Sequence, residues 1–203
     1  MKLTNKILLL KKVFLALLFV SIWFGCSKDV NDEEISFIVD QSKLGIEMSD
    51  YDLGVKFHPP KNWELQPASL SKKIESRNST ESFIYEPIYL FFNDSSKAVL
   101  SVGKVVSLDS SVSKSAQINF YKSLLLSKYK ENNVRFSSFT HNKINFTQLI
   151  FEKGNLISYK IIFLNGDNDI IQFDFSFRSE FKKNILINIK ASIGSIKLAE
   201  SEK

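Results

Sequence analysis

The chain has 203 residues, 44% of them hydrophobic and 24% charged, with one cysteine and two histidines. That length can bury a substantial core, and a single cysteine excludes an internal disulfide. The formal charge of +5 invites a nucleic-acid reading. However, four of the 27 basic residues (Lys2, Lys6, Lys11, Lys12) lie in the first 25, which hold no acid. The remaining 23 face 22 acids and are scattered singly or in pairs such as Lys72-Lys73 and Lys182-Lys183, so nucleic acid is not an expected partner.

Those four lysines precede an apolar run, VFLALLFVSIWFG, from Val13 to Gly25. A spanning helix needs about 20 apolar residues, whereas the core of a secretory signal runs about 7–15 behind a basic start. The run therefore reads as a signal over residues 1–25. Gly25 followed by Cys26 resembles the lipobox of bacterial lipoproteins, although Trp23 and Phe24 are bulkier than that pattern. The resemblance implies that Cys26 carries the lipid and becomes the mature N-terminus. The alternative, an uncleaved anchor over Ile7–Gly25, would place Lys11 and Lys12 in the membrane at considerable cost.

Residues 26–52 read as a lipidated tether, rich in acids from Asp29, Asp32, Glu33 and Glu34 to Asp50 and Asp52, with only Ile35–Val39 strand-like. Its start, SKDVNDEE, resembles the Lys-then-acidic export tether of surface lipoproteins of Bacteroidota, with Val30 and Asn31 interrupting the acidic run. A solvated, extended linker is the other reading of the same charges.

From residue 53 to 203 the pattern is that of one domain. Val55 and Phe57 alternate with polar neighbours, Pro59-Pro60-Lys61-Asn62 breaks the run, and Trp63 and Leu65 resume it. A short helix is expected over 68–77. Phe83–Asn93 and Ala98–Leu108 read as strands apolar on both faces, as in a sheet covered on two sides. Pro87 lacks a backbone donor and implies an edge or a bulge. Ser115–Glu131 reads as a helix through its Phe120/Leu124 and Tyr121/Leu125 pairs. Four antiparallel strands follow at Val134–Thr140, Ile144–Lys153, Leu156–Asn165 and Asp169–Phe177, joined by short turns. The last places Ile171, Phe173, Phe175 and Phe177 on one face, with Gln172, Asp174, Ser176 and Arg178 on the other. A closing helix capped by Ser179 buries Ile185, Ile189 and Ile193 and stops at Gly194.

These elements predict an α+β fold, an antiparallel sheet of about six to seven strands flanked by helices as an α/β/α layered sandwich. The opening GVKFHPPKNWELQ, the long helix after two strands, the four-strand meander and the closing helix with SIGSIKL resemble the PsbP-like family over Leu53–Leu198. That family includes extrinsic photosystem II subunits, a nuclear-transport factor that binds the Ran GTPase, and bacterial lipoproteins. No residue of this chain matches a family site. The resemblance implies a fold and a leaning toward binding over catalysis.

Chemistry-bearing motifs are sparse. His58 and His141 read as polar residues at a strand end and a turn, and no metal or other cofactor is expected. Asn165–Asp169 lacks the spacing of a calcium loop and reads as a turn. No serine sits in a nucleophile elbow and no glycine loop suits phosphates, so no catalytic residue is singled out. Phe83, Tyr85, Tyr89 and Phe91 fall on one face of an unbroken strand. If helices cover both faces they are core; if Pro87 marks an exposed edge, Tyr85 and Tyr89 would form a recognition patch. The expectation is a lipoprotein of the cell envelope, outer-membrane bound on the periplasmic or outer side, serving as a non-catalytic binding or assembly module for a protein or envelope component. The alternative is a hydrolase-like enzyme without a recognisable motif.

Overall fold

The computed structural model describes residues 39–70, 74–75, 79–109, 111 and 113–199. Cys26, the apolar run before it and the tether through residue 38 lie outside the described residues.

Two antiparallel sheets carry the domain. Strands β1 (Met48–Asp50), β2 (Val55–Phe57) and β10 (Lys197–Leu198) form a small sheet in the order β1-β2-β10. The large sheet is built from β3 (Glu64–Leu65), β4 (Phe83–Asn93), β5 (Ala98–Ser107), β6 (Asn133–His141), β7 (Ile144–Lys153), β8 (Leu156–Leu164) and β9 (Ile170–Arg178). Its order is β3-β4-β5-β9-β8-β7-β6. The two helices are α1 (Lys114–Lys128) and α2 (Lys182–Gly194). The expected α+β class, with a sheet of about seven strands flanked by helices, is what the chain adopts.

The order of the large sheet follows from two local facts. First, the β6–β9 meander is closed by tight turns. Asn142 and Lys143 both take positive φ, 49° and 62°, as a two-residue type I′ turn requires, and Gly154 takes φ 60° at the start of the next turn. Second, α1 carries the chain from β5 to the far edge, so the meander folds back until β9 pairs with β5.

Alternation along β9 then sorts the two faces. On one face Phe57, Phe91, Leu100, Phe146, Phe163, Phe173, Phe175 and Phe177 meet Ile185, Ile189 and Ile193 of α2. Phe57, from the small sheet, stands edge-on to Phe173 at 4.9 Å. On the other face Phe83, Tyr85, Val105, Leu149, Ile162 and Ile170 meet Ile118, Tyr121 and Leu125 of α1.

Several expectations need correction. Residues 40–52 are not simply tether: Leu44 is buried, and β1 pairs with β2. The short helix over 68–77 is a 3-10 turn at Ala68–Leu70 with a helical pair at 74–75; the residues between and after them are outside the described set. In α1, Phe120 is 47% exposed and Ile118 takes its place in the core, because Ile118, Tyr121 and Leu125 share one helical stripe. Ser179 does not cap α2: it begins a 3-10 turn, and its N–H donates to the Asn155 carbonyl. Gly194 is the last helical residue, and Ser195 closes the helix with its hydroxyl on the Ser192 carbonyl at 2.6 Å.

Candidate functional site

The two tyrosines singled out as a patch are not neighbours on one surface. The β4–β5 register slips between Pro87 and Tyr89, so Pro87 faces Gly103 while Tyr89 faces Val102. This bulge inverts the alternation of β4. Phe83 and Tyr85 point toward α1, while Tyr89 and Phe91 point toward α2 and the small sheet. Tyr85 is fully buried and shares a hydrogen bond of 2.7 Å with the Ser101 hydroxyl. Tyr89 is half-buried, and its hydroxyl donates to Asp50 at 2.9 Å. Pro87 satisfies both readings at once: it lies at the bulge, and β3 covers β4 only at Phe91 and Phe92.

The histidines are structural. The His58 ring nitrogen Nδ1 lies 2.9 Å from the Gly45 carbonyl, and Nε2 lies 3.4 Å from Glu47. His141 Nε2 lies 2.9 Å from the Gly194 carbonyl, and Asn142 donates to the Ile196 carbonyl at 2.8 Å, so the β6–β7 turn secures the end of α2. Asn165–Asp169 is a turn in which the Asn165 side-chain oxygen accepts from the N–H groups of Asp167 and Asp169.

Beneath α1 the polar face of β9 is roofed over. Tyr121 donates to Gln172 at 2.7 Å, and burial pushes the hydroxyls of Tyr121 and Tyr85 well above the usual tyrosine range. Lys160, with no exposed surface, donates to Asp174 at 2.6 Å. Its ammonium lies 5.7 Å from the Phe151 ring centre and 5.9 Å from that of Tyr129, two rings stacked 4.0 Å apart. A buried charge persists when paired in this way.

The open site lies beside α1. The helix covers the middle of its face and leaves a groove of about 420 Å³ against the β6–β7 hairpin. Ile118 and Lys122, four apart on one helical face, form one wall. Ser138 and Thr140 of β6, Asn145 and Thr147 of β7, Lys143 of the turn, and Leu164, Asn165, Asn168 and Leu198 are among the residues that line the rest. No Asp or Glu lines it. Burial holds the Lys122 ammonium below the usual lysine range, and neither Lys122 nor Lys143 makes an ion pair among the described residues. A second pocket at the start of α1 differs in this respect, because its Lys104 and Lys114 share Asp169 at 3.4 and 2.5 Å.

The groove is lined by two uncompensated ammonium groups, three hydroxyls and three side-chain amides, with an apolar wall. Its hydroxyls would need an adjacent base to act as nucleophiles, and the nearby His141 directs Nε2 to a backbone carbonyl. Sequence reading missed this site because its residues come from α1, β6, β7 and the β8–β9 turn, and each is ordinary where it stands.

No family model matches the sequence, and no curated protein does. Among solved structures, the chain is similar to the crystal structure of LpqN, involved in cell envelope biogenesis of Mycobacterium tuberculosis. The identity is 9%, the TM-score 0.42, and the match covers 72% of this chain and 83% of that one. A likeness that distant bears on neither function nor site.

Proposed function

We propose that this chain is a lipid-anchored protein of the bacterial cell envelope, with a PsbP-like domain that binds an envelope component in the groove between α1 and the β6–β7 hairpin. The observation that carries the binding half is the groove itself. It is about 420 Å³, within the size range of ligand sites, and its two lysines have no carboxylate partner. The anchoring half rests on the sequence: a basic start, a 13-residue apolar run, and Gly25-Cys26 before an acidic stretch. Three acyl chains on Cys26 would hold the domain at the membrane permanently, since each buried methylene contributes about 0.8 kcal/mol.

Binding, not turnover, is the role proposed, on the outer membrane and on its periplasmic or outer side. Two experiments on the full chain in its native host test this. Cys26→Ala should abolish incorporation of labelled fatty acid and leave the protein unprocessed or released from the outer membrane. A photo-crosslinking residue at Ser138 should trap an envelope component that the same residue placed at Lys183, on α2, does not. Fatty-acid labelling that persists in Cys26→Ala, or its absence from the parent, would refute lipid anchoring at Cys26, and identical adducts at both positions would refute the groove. Replacing Asp29, Asp32, Glu33 and Glu34 with Ala should leave lipidation intact and remove the domain from protease reach on whole cells. If accessibility does not change, the acids are only a solvated linker.

A further inference from the structure

We infer that the groove is a phosphoryl-binding site: its ligand is a phosphate ester with an apolar portion, held by Lys122 and Lys143. The inference rests on the groove proposed above and names the chemistry of its ligand.

Charge comes first. The groove is lined by two lysines and no acid, and α1 from Lys114 to Lys128 contains no Asp or Glu at all. Three other lysines of the large sheet and α1 are paired with acids: Lys160 with Asp174, and Lys104 and Lys114 with Asp169. Lys122 differs from these, half-buried and desolvated without a counterion. An anion would supply the missing partner and favour the ammonium form that burial disfavours.

The kind of anion follows from the donors. The positive charge of the groove comes from lysine alone, since no arginine lines it. Lysine is a point charge with three donors, suited to a tetrahedral phosphoryl group. Ser138, Thr140, Thr147, Asn145 and Asn168 supply neutral donors around it, although Thr140 already gives its hydroxyl hydrogen to Asn145 at 2.8 Å. Thr147 is almost fully buried at the floor. Ile118, Leu164 and Leu198 offer apolar contact for the rest of the ligand. The positive-φ turn at Asn142-Lys143 sets where the second ammonium is presented.

A free phosphate ester and a phospholipid headgroup share this chemistry. The test uses the full-length, isotope-labelled chain in neutral detergent, titrated with glycerol 3-phosphate and, separately, with monomeric dihexanoyl phosphatidylglycerol, against sodium chloride at matched ionic strength. Saturable amide shifts are expected at Ile118–Lys122, at 138–147 and at Asn168, weakening as salt rises. Response to the ester alone identifies a soluble ligand, and a stronger response to the lipid identifies a headgroup site. Lys122→Gln and Lys143→Gln should each weaken binding about tenfold or more, as loss of a charge-assisted hydrogen bond does. Lys153→Gln, outside the groove, should leave it unchanged. Lys143→Gln, at an exposed turn position, decides the matter if Lys122→Gln does not fold. No saturable shift with either compound, shifts confined to other residues, or full affinity in Lys122→Gln would overturn the inference. Those results would leave the crosslinking test of the groove standing, so the two ideas fail separately.

Discussion

Gly103 lies directly across from Pro87, and a Cβ built on it would come within 2.1 Å of the Glu86 carbonyl oxygen and 2.8 Å of the Pro87 Cα. The bulge that sends Tyr85 and Tyr89 to opposite faces is therefore possible only because residue 103 has no side chain. Both obstructing atoms are backbone, so nothing can swing aside. Gly103→Ala should destabilise the domain by at least about 1–3 kcal/mol, the usual cost of overpacking. Urea denaturation monitored by far-UV circular dichroism checks it. A variant with unchanged midpoint would show that the strands separate there without penalty.

Trp63 follows the Pro59-Pro60 turn and is 6% exposed, its ring edge-on to Phe175 at 6.3 Å. Replacing it with Ala removes a large buried ring that the rigid strands around it cannot refill. The expected loss is about 3–5 kcal/mol, seen as a fall in thermal midpoint. Crosslinking at Ser138 should survive at temperatures where the variant is folded. Loss of crosslinking in a variant with the parent's midpoint would make Trp63 a binding residue.

Lys160 and Asp174 are expected to behave as a unit. Lys160→Met alone strands a carboxylate that is only 7% exposed, at a cost of about 3–5 kcal/mol. Lys160→Met combined with Asp174→Leu removes both charges and should recover most of that loss. A double-mutant cycle by chemical denaturation measures the coupling. Equal instability of the single and double variants would mean that shape, not charge, governs the site.

Asp169 gives the fold a pH dependence at its acid end. Burial by itself would raise its carboxyl, but the hydrogen bond and charge of Lys114, followed by those of Lys104, outweigh it and hold the group below the usual range. A depressed folded value means that the unfolded chain binds the proton more tightly. This contribution is therefore complete above the unfolded value, near 3.9, and is lost as pH falls below it through the folded value. Because the pair is wet, Asp169→Asn should cost at most about 1 kcal/mol at pH 7. Thermal midpoints of parent and variant should converge below about pH 4. A gap that persists at full size at pH 3 would assign the effect to something other than this charge.

Much of the architecture was legible because it is local. The bounds of β4 and β7 could be read from apolar runs ended by turn residues, and the burial of Ile185, Ile189 and Ile193 from their spacing. Period and turn chemistry act within a few residues of chain, where a sequence is explicit. What escaped was everything that depends on a partner far along the chain. β1 and β10 are three and two residues long, too short to show a period, and they exist because β2 pairs with both. The faces of Tyr85 and Tyr89 were decided by Gly103 on the neighbouring strand. The groove was decided by α1, which crosses the sheet from β5 to β6 and covers only the residues beneath it. Lys122 and Lys143 are two more surface lysines in the sequence. Only the folding of the hairpin beside the helix brings them to one acid-free groove, because charge compensation depends on distance in space and not on separation along the chain.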